Sequence, residues 1–536
     1  MNINQNIRKL VIIFVAFFMA LSAGLVYWQV VVAQAVMANP HNSRPCLTSN
    51  APIRGRIYDR NGVLLAYSTP STTGCGYTRH YTDPSLAGLI GYYVPGYLTT
   101  GVEASFNDYL TGKKGITSLD NLVNQTLHRP PVGDDIYLTI DERIQKIVAN
   151  DFNTPVAVNN NTVFQSDRGS VIVTDPHTGN ILAMYSNPGF DPNKMVQTLS
   201  VGDQSYYQSL ANQTIENPLL ERPLNGKYVP GSVYKTMSLV AGIDSGHTNL
   251  NQPWSRQQAL GPIVIGGQEI STGDNIRGYT HNFPVTTEYG YAHSDNLIFA
   301  QIGVETTAST WLDYNKRFYV GTQPPFDLPT TPSTVLPAGK DTLADNELGA
   351  NAYGQGTDFV TPFTMSLLDD AIANNGQLMR PMLVQKIVDP NKTVVEQYNS
   401  QPSGPAQMSP QTAKDVRQGM YDVVQCGSAS LYAGINLPTV PWTVIAKTGT
   451  GEIGGGKPAN AWLLTQAPYN LNNPGQLPAL TILAMKENAG EGGNAIAPMV
   501  TNMYNDIFTN VMPVPKPTPP NPNQYCFQSG MLQPAG

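Results

Sequence analysis

The sequence predicts an α+β protein carried on one N-terminal transmembrane helix, with an elongated mixed segment followed by a larger domain in which helices sandwich an antiparallel sheet. Three observations carry that expectation. An uncharged apolar run extends from Leu10 to Ala33; two apolar hairpins stand at 51–68 and 169–186; and three further strand patterns lie close to the end of the chain, beyond a long stretch of helical periodicity.

The apolar run LVIIFVAFFMALSAGLVYWQVVVA exceeds the ~20 residues that span a bilayer, and it is longer than the ~7–15 apolar residues of a cleaved signal peptide. Arg8 and Lys9 precede it and no basic residue follows before Arg44. That asymmetry puts residues 1–9 in the cytoplasm, makes 10–33 an uncleaved anchor and exports the rest. Ala33-Gln34-Ala35 has the small-x-small form of a cleavage site and supplies the alternative. Outside the membrane disulfides persist, so Cys46, Cys75, Cys426 and Cys526 are expected to pair. Closeness in the chain favours Cys46 with Cys75 and leaves Cys426 to Cys526.

Residues 34–165 form the mixed pedestal. APIRGRIYDRNGVLLAYS alternates and breaks at Asn61-Gly62, a hairpin signature; DDIYLTIDERIQKIVANDF reads as a strand, then a helix capped by Asp141. The main domain spans 166–512. GSVIVTDPHTGNILAMYS is its opening hairpin, 193–374 is helical in pattern, and 439–468 with LPALTILAMKEN supplies three late strands. An antiparallel sheet completed by both ends of the domain follows. The tail 513–536, with PVPKPTPPNPNQ, is too proline-rich to pack and is expected to be extended.

Length and composition narrow the function. At 536 residues the chain exceeds one core. Only 13% of residues are charged and the net charge is -7, with no clustered Lys and Arg, which argues against nucleic acid as partner. The seven histidines show no metal-ligand spacing, so neither metal nor cofactor is expected.

Three short segments can carry chemistry. In VPGSVYKTM, Ser232 sits where a helix begins and Lys235 lies one turn along, within reach of its hydroxyl. A serine needs a base to become nucleophilic, and a lysine serves once burial lowers its pKa. The alternative is an N-cap serine beside a solvated lysine. In YAHSDNLIF, Ser294 and Asn296 fall on a polar break before an apolar helix; in IAKTGTGEI, Lys447 ends an apolar strand, Gly449 lets a ligand backbone approach, and Thr448 and Thr450 share a strand face. Nucleophile and base, proton relay, and amide and carboxylate binders together describe acyl transfer.

Ser-x-x-Lys, Ser-Asp-Asn and Lys-Thr-Gly-Thr in this order resemble the motif set of the penicillin-binding proteins and serine β-lactamases. RGRIYDRNG, YLTIDERIQ, ERPLNGKYVPGSVYK, GQGTDFVTPFTMSLLDDAIANNG, NAWLLTQAP and NAIAPMV extend the resemblance from Arg54 to Met512 and resemble the class B, monofunctional transpeptidases, in a short actinobacterial form. The resemblance implies a serine β-lactamase-like transpeptidase domain on a dimerisation-like pedestal. It implies that Ser232 is acylated by a stem peptide ending in D-alanyl-D-alanine, with Lys235 as base and Ser294 as relay. Asn296, Lys447, Thr448, Gly449 and Thr450 would bind the donor, and the backbone NH groups of Ser232 and Thr450 would form the oxyanion hole. β-Lactams would acylate the same serine. A polymerase of the shape, elongation, division and sporulation family would be the membrane partner, meeting the helix near Phe14 to Tyr27.

Two departures bear on the acceptor side: Asn460 stands where many relatives have histidine, and Thr465-Gln466 where glycine is usual. The alternatives are a D,D-carboxypeptidase, a non-catalytic β-lactam sensor or a division-machinery scaffold. A class A β-lactamase lacks support, because Glu347 in NELGAN does not match the deacylating Glu-x-x-Leu-Asn loop.

Overall fold

The computed structural model describes residues 3–27, 52–71, 76–114, 130–154, 156–158, 161–163, 166–270, 283–429, 442–473 and 475–515. The strands of its two main sheets are β1 Ile57–Tyr58, β2 Leu64–Pro70, β3 Tyr77–Tyr81, β4 Asp135–Leu138, β5 Gly169–Asp175, β6 Asn180–Asn187, β7 Val384–Val388, β8 Val394–Gln397, β9 Ile445–Gly451, β10 Asn460–Ala467 and β11 Leu480–Lys486. The helices that matter to the site are α1 Ile3–Val26, α2 Glu142–Asp151, α3 Lys235–Asp244, α4 Thr287–Ala292, α5 Asn296–Thr306, α6 Pro362–Ala373, α7 Pro410–Gln425 and α8 Gly492–Asp506.

Helix α1 begins at Ile3, upstream of the expected run, and so takes Arg8 and Lys9 into its first turns. Its apolar side chains are exposed among the described residues: Phe14 is 68% exposed and Phe17 and Phe18 are each 70% exposed. It is the one helix among the described residues long and apolar enough to cross a membrane, with mean hydropathy 2.4 over Lys9–Val26. The expected end of the anchor at Ala33, Ala33-Gln34-Ala35, Cys46, Cys75, Cys526 and most of the proline-rich tail lie outside the described residues. Cys426 is disulfide-bonded.

The first hairpin forms because Asp59 folds the chain locally. Its Oδ1 accepts from the backbone NH of Asn61 at 2.8 Å and of Val63 at 2.7 Å, an Asx-type turn, and Gly62 takes φ +85°. Asp141 caps α2 as expected, its carboxylate accepting from the Arg143 NH.

The larger sheet of the N-terminal half has the order β8-β7-β4-β1-β2-β3. Strands β7 and β8 come from 384–397, well inside the span assigned to the main domain, so the contiguous division at 165/166 does not describe this sheet. Its β4 is parallel to β1 and antiparallel to β7. Pairing over such sequence separations leaves no local signature, because each strand satisfies its own alternation whoever its neighbour is. Glu103 ties this half together: its buried carboxylate accepts from Arg54 Nε at 2.9 Å and Arg79 Nε at 2.6 Å. Burial alone would raise the Glu103 pKa, but the two guanidinium groups outweigh it and hold the carboxyl below its usual range.

The second sheet is fully antiparallel, in the order β9-β10-β11-β5-β6. The opening hairpin therefore joins the three late strands, as the sequence predicts. Neighbouring residues on a strand point to opposite faces, and β10 shows helices on both. Thr465 Oγ1 meets the Tyr504 hydroxyl of α8 at 3.0 Å, whereas Gln466 Nε2 donates to Asp369 Oδ1 of α6 at 2.8 Å. These two residues, a departure from the family pattern, thus bind the layers together. A continuous cluster of buried residues runs from Ile57 to Phe508 and joins both halves.

Candidate active site

Ser232 lies in the 3-10 turn Gly231–Tyr234, from which α3 continues without a break. The turn is wedged between two backbone segments. Gly231 has φ +58°, its NH donates to Gly354 O at 2.9 Å, and a Cβ there would stand 2.2 Å from Thr450 O. No larger residue fits, which explains the Pro-Gly before the serine. Helix α3 is buried from Lys235 to Gly242, a helix enclosed on all sides, so the lysine one turn along is forced out of water.

The geometry around that amine is specific. Lys235 Nζ is 2.7 Å from Ser232 Oγ, 2.6 Å from Asn296 Oδ1, 2.9 Å from Ser294 O and 3.2 Å from Ser294 Oγ. Burial, partly offset by the Asp295 carboxylate, brings its pKa down to about 7. A neutral amine has two hydrogens and one lone pair. The carbonyl of Ser294 and Oδ1 of Asn296 are pure acceptors and take the hydrogens. The lone pair is left to face the Ser232 hydroxyl.

Ser294 follows α4 in a left-handed conformation, φ +62°, a backbone strain of the kind that collects at functional sites. Asp295 then caps α5, accepting from the Ile298 NH at 3.0 Å. Between them this corner aims the Ser294 hydroxyl at both amines, since Lys447 Nζ donates to Ser294 Oγ at 3.0 Å. Lys447 is fully buried, and its pKa is pushed well below the usual lysine range by burial first and by Lys235 second. An anion bound beside this amine would favour its charged form.

Strand β9 brings the third motif alongside the turn. Gly449 is close-packed against the protein itself, since a Cβ there would lie 2.8 Å from Val233 Cγ1 and 2.9 Å from Pro230 O. The sequence expectation that it admits a ligand backbone is therefore corrected: the segment that approaches closely is the turn carrying Ser232. Thr448 and Thr450 occupy the other strand face. Thr448 Oγ1 is 2.9 Å from Ser428 Oγ, and Thr450 is partly exposed.

The structure thus links Ser232, Lys235, Ser294, Asn296 and Lys447 in one hydrogen-bonded chain, with Thr448 and Thr450 on the adjoining strand. It adds two residues that sequence reasoning missed. Gln355 Nε2 donates to Thr450 O at 2.9 Å, fixing the end of β9; Ser428 holds Thr448. Gln355 follows Gly354 in GQG, whose glycine pair was a usable signal for close backbone approach. Nothing in the local pattern marked Ser428. His293 is the C-cap residue of α4, stacks on Tyr289 at 4.0 Å, and its Nδ1 lies 3.1 Å from Tyr289 O. Asn460 sits opposite Gly451 in β10 and accepts from the Asn488 NH at 3.2 Å.

A serine activated by a buried lysine, a serine bridging two lysines and an edge strand presenting hydroxyls define an acyl-transferring serine enzyme on an α+β scaffold. The family described as "Penicillin binding protein transpeptidase domain" matches residues 169–505, more than half of the chain, and that described as "Penicillin binding protein A dimerisation domain" matches 54–136. The chain belongs to the penicillin-binding protein transpeptidase family. Among its relatives, peptidoglycan D,D-transpeptidase PbpA of Mycolicibacterium smegmatis is 27% identical over 513 residues, covering 92% of this chain and 97% of the relative. PbpA of Mycobacterium tuberculosis is 26% identical over 508 residues with the same coverage. The solved penicillin G acyl-enzyme complex of penicillin-binding protein A from M. tuberculosis superposes with a TM-score of 0.70 at 25% identity, over 85% of this chain and 99% of that one.

Proposed function

We propose that this chain is a peptidoglycan D,D-transpeptidase that crosslinks stem peptides through an acyl-enzyme on Ser232 and is a target of β-lactams. One observation carries the reading: a fully buried lysine amine lies 2.7 Å from the serine hydroxyl, with the acceptors Ser294 O and Asn296 Oδ1 at 2.9 and 2.6 Å.

Ser232 Oγ attacks the carbonyl carbon of the penultimate D-alanine while its proton passes to Lys235 Nζ. Backbone NH groups of Ser232 and Thr450 stabilise the developing oxyanion. As the C–N bond breaks, Ser294 Oγ hands a proton to the departing D-alanine amine and is resupplied by a lysine it touches. An amine from a second stem peptide then attacks the ester and releases Ser232. The donor carboxylate is bound by Thr448 and Thr450, close to the Lys447 amine, whose charged form it favours. Asn296 Nδ2, on the same amide as the oxygen that engages Lys235, would bind the donor's peptide amide through its carbonyl.

The exposed apolar surface of α1 supports membrane anchoring, with the catalytic domain outside the cell. It also supports docking of a polymerase of the shape, elongation, division and sporulation family along Phe14 to Tyr27. Residues 34–165 serve as the pedestal and 166–512 as the transpeptidase domain, with β7 and β8 lent to the pedestal.

Fluorescent penicillin tests the assignment. Ser232→Ala is expected to lose covalent labelling with an unchanged circular dichroism spectrum, and Lys235→Ala to label about 10²–10⁴-fold more slowly. Persistent labelling of Ser232→Ala excludes Ser232 as nucleophile; a wild-type chain that never labels is a scaffold. Release of D-alanine without crosslinked dimer, in the presence of acceptor peptide, identifies a carboxypeptidase.

A further inference from the structure

A cavity of about 450 Å³, away from Ser232, opens between the two halves of the molecule, within the size range of small-molecule sites. One wall is made by the helices Ala87–Ile90 and Gly101–Ser105 of the N-terminal half, the other by Phe190, Tyr207 and the segment leading into the helix Arg222–Asn225. Tyr92, Phe190 and Tyr207 line it with rings, and Tyr92 and Phe190 meet edge to face at 6.0 Å.

One group in this lining is out of place. Glu221 is one of the residues that line the cavity, and its carboxyl Oε1 is buried with no hydrogen-bond partner among the described residues. The other oxygen lies so close to Gly88 that a Cβ there would be 1.7 Å away, so the glycine leaves room for the carboxyl. The adjacent Arg222 gives no direct pair, because its guanidinium is committed to Glu487 at 2.8 Å. Burial pushes the Glu221 carboxyl up to about 8, with Arg222 pulling weakly the other way. An orphaned buried carboxyl is costly, and a cation entering the cavity would relieve it.

We propose that this inter-domain cavity is a binding site for a small organic ammonium on an apolar body, with Glu221 as counter-ion and the Tyr92, Phe190 and Tyr207 rings receiving the cation and its hydrocarbon. A carboxylate supplies the charge and orientation; aromatic faces attract ammonium groups and exclude water. Neither feature belongs to the Ser232 machinery, so the site stands whether or not the transpeptidase reading does.

Phenethylammonium and its neutral counterpart 2-phenylethanol test the site by calorimetry on the full chain in detergent. The amine is expected to bind the wild type at least about tenfold more tightly than the alcohol. Glu221→Gln is expected to bring the amine down to the alcohol's affinity while fluorescent penicillin labelling stays as in the wild type. Acylating Ser232 with penicillin beforehand should leave amine binding unchanged. Equal affinity for amine and alcohol in the wild type, full amine affinity in Glu221→Gln, or loss of amine binding after acylation would each overturn the proposal, the last by placing the amine in the catalytic cleft.

Discussion

At Lys235 one structural fact, exclusion of water from a helix buried on every side, does the chemical work that a histidine base does elsewhere. An amine in water stays protonated to pH 10 and cannot accept the Ser232 proton; at about 7 it can. The sign follows directly. Because the neutral amine is the active form, the acylation rate should rise with pH through about 7 and level off above it. Asp295 raises the Lys235 pKa, so Asp295→Asn, which keeps a side-chain oxygen for the α5 cap, should move that limb to lower pH by up to about one unit. Stopped-flow acylation between pH 5.5 and 9 measures it; a limb that moves up or stays fixed would remove Asp295 from the electrostatics of the base.

Among the elements, the six-stranded sheet depends on a buried charge cluster as much as on its apolar face. Glu103 is inaccessible, and Arg54 and Arg79 are nearly so, with ion-pair distances of 2.7 and 2.6 Å. Neutralising the shared carboxylate strands two guanidinium groups in a medium that solvates them poorly. Glu103→Gln should therefore destabilise this half by about 3–5 kcal/mol, seen as a lower unfolding midpoint in urea. A midpoint within error of the wild type would show that water reaches the arginines. Since the folded Glu103 pKa is depressed, its contribution is complete above the unfolded carboxyl range and fades as pH falls through the depressed value.

At the scale of the whole molecule, the ribbon β7–β8 makes the two halves interdependent. Val384 to Val388 pair with β4, while α6 just before them packs on β5 and β11. Residues 166–512 expressed alone would expose one edge of β7 and the apolar cluster beneath it, a recipe for aggregation. That fragment should be recovered mainly in aggregates, whereas a chain starting at 34 should be soluble and label with penicillin. Gel filtration separates these outcomes, and a monodisperse, fully labelled 166–512 fragment would show that the shared sheet is dispensable.

Local patterns were enough to read the hairpin at Asn61-Gly62, the Asp141 cap, the opening and closing strands of the second sheet, and the three motif segments. Each depends on neighbours within a few residues, through turn chemistry, period-2 alternation or a one-turn helical offset. The motif order also carried Ser232, Lys235, Ser294, Asn296 and Lys447. Long-range packing alone decided the rest. It placed β7 and β8 in the pedestal sheet, turned Gly449 toward the turn 230–233 instead of a ligand, and directed Thr465 and Gln466 to α8 and α6. It also brought Gln355 to Thr450 and Ser428 to Thr448. A side chain's type and spacing fix what it can do chemically, but which groups meet, and whether water lies between them, is set by contacts between segments hundreds of residues apart that no local periodicity records.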